Sequence, residues 1–154
     1  MPSPFESLPA SLKKVAQAVV GAPNVFHAAR DAGASASAAA DVMAASAAAV
    51  QIASSATDGT PGLQNAVRHF IWQAYIAGRH GVAVAQAVAD AHEAGRDTPH
   101  DTRIDQHNNE VGRAYGAANS ATIGRGSITD ALQALVPVAK EKWASDELIW
   151  VKPR

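Results

Sequence analysis

Residues Leu63–Ala77 read LQNAVRHFIWQAYIA, and this stretch decides the fold. On a wheel of about 100° per residue, Asn65, Arg68, His69, Trp72 and Ile76 fall on one face, and Val67, Phe70, Ile71 and Ala74 fall on the opposite one. A helix with large apolar groups on both sides is sandwiched between neighbours, so this helix is expected at the centre of the molecule. Asn, Arg and His on a central helix must either satisfy one another or line a cavity.

Outward from it, Thr57-Asp58-Gly59-Thr60-Pro61-Gly62 is a strong turn that divides an alanine-rich half from a polar half. Before the turn, three prolines in residues 1–10 give an irregular lead-in. Ser11 then caps a short helix over Leu12–Val20, which Gly21, Pro23 and Asn24 end, and a long Ala/Ser helix is expected over Val25–Ser54. After the turn, the helix from Leu63 ends through Gly78 and Gly81. Further helices are expected over Val82–Glu93, Thr102–Ala118 and, from the cap pair Ser127 and Asp130, through Trp143 with Pro137 inside it. The tail from Glu147 to Arg154 is expected as a short strand or an extended segment over the core. Together these make an all-α single domain over 1–154, a compact bundle of about five to six helices: an alanine-rich scaffold at 11–57, motif-bearing helices at 61–118 and a C-terminal helix and tail at 127–154.

Composition agrees. The chain has 154 residues, 47% of them hydrophobic but only 5% aromatic, and alanine favours helices over strands. A net charge of −1 disfavours a phosphate-tracking surface, so nucleic acid is an unlikely partner. The absence of cysteine removes disulfides, thiolate zinc sites and a cysteine nucleophile. No secretory leader is visible near Met1, and the Val42–Thr57 run falls short of the roughly 18 strongly apolar residues of a membrane span. The expected setting is either export as the C-terminal part of a larger protein or the cytoplasm.

The helix from Thr102 carries Asp105, Asn108, Asn109, Gly112 and Gly116 within one arc, with Ile104, Val111 and Tyr115 as a separate apolar edge. Two glycines beside an acid and two amides mean that another backbone, or a ligand, approaches closely. His107 and Glu110 point away from that arc, and His80, His100, Asp97 and Asp101 are ends or loop residues, read as solvated. His92-Glu93 closes the intervening helix, where burial would tune a glutamate for general acid–base work. Each of three successive helices therefore presents a polar set at helical spacing: Asn65, Arg68, His69 and Trp72; His92 and Glu93; Asp105, Asn108, Asn109, Gly112 and Arg113.

Those sets resemble a bacterial domain family of unassigned function, often found at the C-terminal end of large exported or repeat-containing proteins. That family shows an N-x-x-R-H-x-x-W helix, an H-E pair and a D-x-x-N-N-x-x-G-R helix, all matched between about Gly62 and Gly116. The resemblance implies a polymorphic-toxin or effector setting, with a cognate immunity protein as partner, and it supplies no mechanism.

From the residues, the leading expectation is a hydrolase. His69, His92 and Asp105 hold a divalent ion (Zn, Mg, Mn or Ca), Glu93 acts as general base, Arg68 neutralises an anionic substrate, and Asp105 shares in the catalysis. Asn65, Trp72, Asn108, Asn109 and Arg113 contact a phosphoester substrate such as a phospholipid or a lipid-linked cell-wall precursor. Two alternatives stand beside it: a metal-free peptidoglycan glycoside hydrolase using Glu93 with Asp101 or Asp105, and a non-enzymatic binding or membrane-perturbing module whose polar network is structural.

Overall fold

Seven helices form among the described residues, which in this computed structural model are 22–94 and 99–150. They are α1 (Ala22–Asp31), α2 (Ala36–Ala56), α3 (Leu63–His80), α4 (Val82–Glu93), α5 (Pro99–Ala118), α6 (Ser120–Ile123) and α7 (Ile128–Ala144). The fold is all-α, with no strand among these residues. The helix expected over Leu12–Val20 and the tail beyond Trp150 lie outside the described residues.

The long alanine-rich helix is two helices rather than one. Asp31 ends α1, and Gly33 adopts a left-handed φ of 103° while the Ala34 N–H reaches back to the Ala29 carbonyl at 3.0 Å, a Schellman-type close. Ser35 then opens α2, its hydroxyl accepting from the Ala38 N–H at 3.1 Å. The helix expected to start at Val25 starts at Ala22, so Pro23 and Asn24 fall in the first turn of α1, where the missing proline N–H costs nothing. By length and composition α2 is apolar enough to cross a membrane, with a mean hydropathy of 1.3 over its best window, although the Ala/Ser run was expected to fall short. In the fold Ala39, Val42, Met43, Ala45, Ala49 and Ala53 of this helix are buried core.

α3 is the central helix, packed against α2, α4, α5, α6 and α7. Apart from Arg68, every residue from Ala66 to Ala77 is buried. Gly78 does not end it. A Cβ there would lie 2.6 Å from Ile123 Cγ2, so the missing side chain makes room for α6, and the helix runs on to His80 before Gly81 (φ 95°) turns the chain into α4. Arg79 holds the loop after α6 in place, donating to the carbonyls of Ile123, Arg125 and Gly126.

The closest approach lies between α3 and α5. A Cβ on Gly112 would sit 2.6 Å from the Phe70 carbonyl oxygen, and one on Gly116 would sit 2.2 Å from that of Ala74. The two glycines therefore admit another backbone, one of the two possibilities read from the sequence. After α7, capped by Ser127 on the Asp130 N–H at 3.1 Å, the tail is irregular rather than a strand. Leu148 is buried, and Trp150 packs against Gly62.

Candidate functional site

The close packing of α3 on α5 places three polar pairs in register along the two helices. Asn65 Nδ2 donates to Asp105 Oδ1 at 2.7 Å, His69 Nδ1 meets Asn109 Oδ1 at 2.7 Å, and Arg113 Nη1 donates to Gln73 Oε1 at 2.9 Å. Each pair lies one helical turn beyond the last on both helices, so α3 and α5 run parallel and the pairs form the rungs of a ladder. Gln73 was missed by the reading of the sequence. The signal was the shared four-residue spacing of Asn65, His69 and Gln73 with Asp105, Asn109 and Arg113.

The middle rung fixes the chemistry of His69. The Arg68 guanidinium has no acceptor, so its Nη2, 2.8 Å from His69 Nε2, must donate to that nitrogen. Nδ1 therefore carries the proton and gives it to Asn109. Burial holds the His69 pKa below its ordinary value despite the opposing pull of Asp105, which agrees with a neutral ring. The consequence is an unprotonated Nε2 lying 3.3 Å from Asp105 Oδ2. A lone pair and a carboxylate oxygen at that distance need a cation between or beside them. Arg68, which also contacts Asn65 Oδ1 at 3.3 Å, supplies that charge here.

The end of α4 completes the cluster. His69, His92 and Glu93 each offer one ligand atom, all within 4.8 Å of one another. Tetrahedral ligands at about 2.1 Å from an ion lie about 3.4 Å apart, so side-chain adjustments of about an ångström would close this set. Trp72 walls it: the indole packs edge-on against His69 and His92, with centroids at 6.0 and 5.2 Å, and its N–H donates to Ser46 Oγ at 2.7 Å. Glu93 and Asp105 are buried; His92, Arg68 and Asn65 are half-buried and form the approach.

The expected site residues are thus brought together selectively. Asn65, Arg68, His69, Trp72, His92, Glu93, Asp105 and Asn109 form one connected cluster, and the three that could close on an ion are His69, His92 and Glu93, with Asp105 alongside. Asn108 is turned elsewhere. Its side chain exchanges two hydrogen bonds with the Ile149 backbone, at 3.0 and 2.9 Å, and so pins the tail as a strand neighbour would. His107, read as a surface or packing residue, bonds the Glu147 carbonyl at 2.8 Å. His80, read as solvated, pairs with Asp41 at 2.7 Å, and Tyr75 donates to the same carboxylate at 2.8 Å. The Asp101 side chain, Asp97 and the His100 side chain lie outside the described residues.

No curated protein and no solved structure matches the chain. A family model described as a domain of unknown function (DUF6973) matches residues 32–140, which includes the whole ladder and the His92–Glu93 pair, and the chain belongs to that family.

Proposed function

We propose that the chain is a metal-assisted hydrolase of a phosphoester in the bacterial cell envelope, a phospholipid or a lipid-linked cell-wall precursor, acting as an exported antibacterial toxin held in check by a cognate immunity protein. The observation that carries the reading is the convergence of His69, His92 and Glu93 within 4.8 Å, with the His69 tautomer fixed so that Nε2 presents a lone pair. Two imidazoles and one carboxylate suit a divalent first-row ion, and Asn109 acts as the outer partner that orients a ligating histidine. Such an ion supplies a Lewis acid for the phosphoryl oxygen and lowers the pKa of water.

The chain's own groups then divide the work. Glu93 serves better as ligand than as base. Asp105 takes the base role: Asn65 holds its Oδ1, and Oδ2 faces the centre beside His69. Arg68 sits on the His69 lone pair that the ion would occupy. Displaced from it, the guanidinium turns to the half-exposed approach, where it neutralises an anionic substrate. The toxin setting rests on the family resemblance and not on the geometry.

The test is metal analysis after equilibration with Zn, Mn, Mg and Ca, together with hydrolysis of phospholipid vesicles. One ion per chain is expected, lost in His69→Ala and Glu93→Gln, with Asp105→Asn keeping the ion and losing turnover. Absence of a stoichiometric ion under all four conditions, or full activity in His69→Ala, overturns the proposal. The ladder also favours a second reading, a network that only locks helix register. Under that reading Asp105→Asn melts earlier while activity per folded molecule is unchanged.

A further inference from the structure

A cavity of about 300 Å³ opens between α4 and α5, at the lower end of the range for small-molecule sites. Gln86 and Asp90 line it from α4, and Gln106, Asn109, Glu110 and Arg113 line it from α5. Asn109 is fully buried. Its Oδ1 holds the His69 ring, but its Nδ2 has no hydrogen-bond partner. A buried amide donor without an acceptor is destabilising, so its retention here calls for a reason. Arg113 adds a positive charge: its guanidinium is half-buried, donates to Gln73 at 2.9 Å, and feels the charges of Asp90 and Glu110.

One amide donor that lacks an acceptor and one guanidinium therefore share the walls of a small cavity with two carboxylates. Asp90 is held by the Gln86 amide at 2.9 Å, and Glu110 is exposed. The lining offers an oxyanion site and an ammonium site side by side. Asn109 lines the cavity and also holds His69, so the cavity adjoins the proposed centre.

The geometry points to a head-group subsite for a zwitterionic aminoalkyl phosphate, its phosphate oxygen on Asn109 Nδ2 and Arg113 and its ammonium between Asp90 and Glu110. Identifying this occupant as the substrate's head group rests on the hydrolase reading above; the binding itself does not. An α-amino acid presents the same ammonium and oxyanion pair, and the shorter spacing of its charges makes it the poorer fit across the cavity.

The full chain, ¹⁵N-labelled and free of metal, is titrated with O-phosphoethanolamine, ethyl phosphate and glycine, following the Asn109 side-chain amide signals. O-phosphoethanolamine should move those signals and bind about tenfold more tightly than ethyl phosphate, since each carboxylate adds a partly exposed ion pair. Glycine should bind more weakly still. The exposed pair Asp90→Asn with Glu110→Gln should retain the helical circular dichroism and lose that preference. Equal binding of ethyl phosphate, tighter binding of glycine, or unmoved Asn109 signals would each overturn the inference. Because the titration is done without metal, a chain that fails to bind any ion but keeps the amine preference loses the hydrolase reading alone. A chain that binds an ion without the preference loses the subsite alone.

Discussion

Gly116→Ala tests the helix packing on which the site depends, because two physical effects predict opposite signs. In an ordinary helix interior, glycine to alanine stabilises by about 1 kcal/mol. At this position the added Cβ would lie 2.2 Å from the Ala74 carbonyl oxygen and 2.9 Å from the carbon atoms of the same residue, where an ordinary contact begins at 3.4 Å. The obstacle is backbone, so no rotamer change relieves it, and α3 and α5 must part locally by about an ångström. That separation falls one turn beyond the Gln73–Arg113 rung, whose 2.9 Å hydrogen bond is stretched with it. Overpacking costs about 1–3 kcal/mol, and overlap with a rigid backbone lies at or above the top of that range. We expect a net destabilisation of about 2 kcal/mol, a fall in melting temperature of about 4–8 °C. Ala114→Gly, on the exposed side of the same helix, calibrates the propensity effect alone and should lose about 1 kcal/mol. Urea and thermal unfolding of the three proteins give the comparison. If Gly116→Ala melts higher than the parent, α3 and α5 do not approach each other this closely and the three rungs are not held in register by that contact.

Three further outcomes follow from single contacts. Burial raises the Asp41 pKa, but hydrogen bonds from His80 and Tyr75 and the charges of His80 and Arg79 outweigh it, so the net shift is downward. Its contribution is therefore present above the ordinary carboxyl range, near about 4, and lost as pH falls through the lower folded value. Unfolding free energies from pH 7 to 3 should fall more steeply below about pH 4 in the parent than in Asp41→Asn; equal slopes would remove Asp41 as the cause. Ser46→Ala leaves the buried Trp72 N–H without its acceptor and should cost about 1–2 kcal/mol by urea unfolding, whereas Ser46→Thr, which keeps the hydroxyl, should recover part of it. Asn108→Ala removes both bonds to Ile149 and should speed amide exchange at Ile149 with little effect on metal binding; a lost metal site would instead tie Asn108 to the cluster.

Much of the fold was legible because helix signals are local. The two apolar faces of Leu63–Ala77 placed the central helix, and Gly112 and Gly116 marked the close approach. The break at Gly33 was written in the sequence as a glycine two residues before a capping serine. It was hidden by alanines on both sides, which carry helix propensity but no periodicity. Gly78 misled in the opposite direction: a glycine kept for a neighbour's side chain looks the same in sequence as one that stops a helix. Asn108 and Asn109 show where the wheel loses resolution. About 100° separates them, small enough for one arc to hold both, yet one faces the tail and the other His69. The partner of Asn108 is the backbone of Ile149, and a backbone group leaves no mark in sequence.

The ladder itself does not require chemistry. Parallel helices at close range need their polar groups matched, and the outer rungs, Asn65–Asp105 and Gln73–Arg113, do that as register locks. The middle rung differs in kind. An amide in place of His69 would satisfy Asn109 equally well and leave nothing at the far edge. The imidazole instead carries a second nitrogen, Nε2, which takes a hydrogen bond from the Arg68 guanidinium at 2.8 Å and lies 3.3 Å from Asp105 Oδ2. A pure register lock would gain nothing from burying that lone pair opposite Asp105. The substitution that separates the two roles is therefore His69→Asn, whose Nδ2 takes the place of the ring Nδ1 that donates to Asn109. With its register lock preserved, the variant should keep most of its stability and lose the ion, whereas a structural histidine would be replaced without effect on metal content.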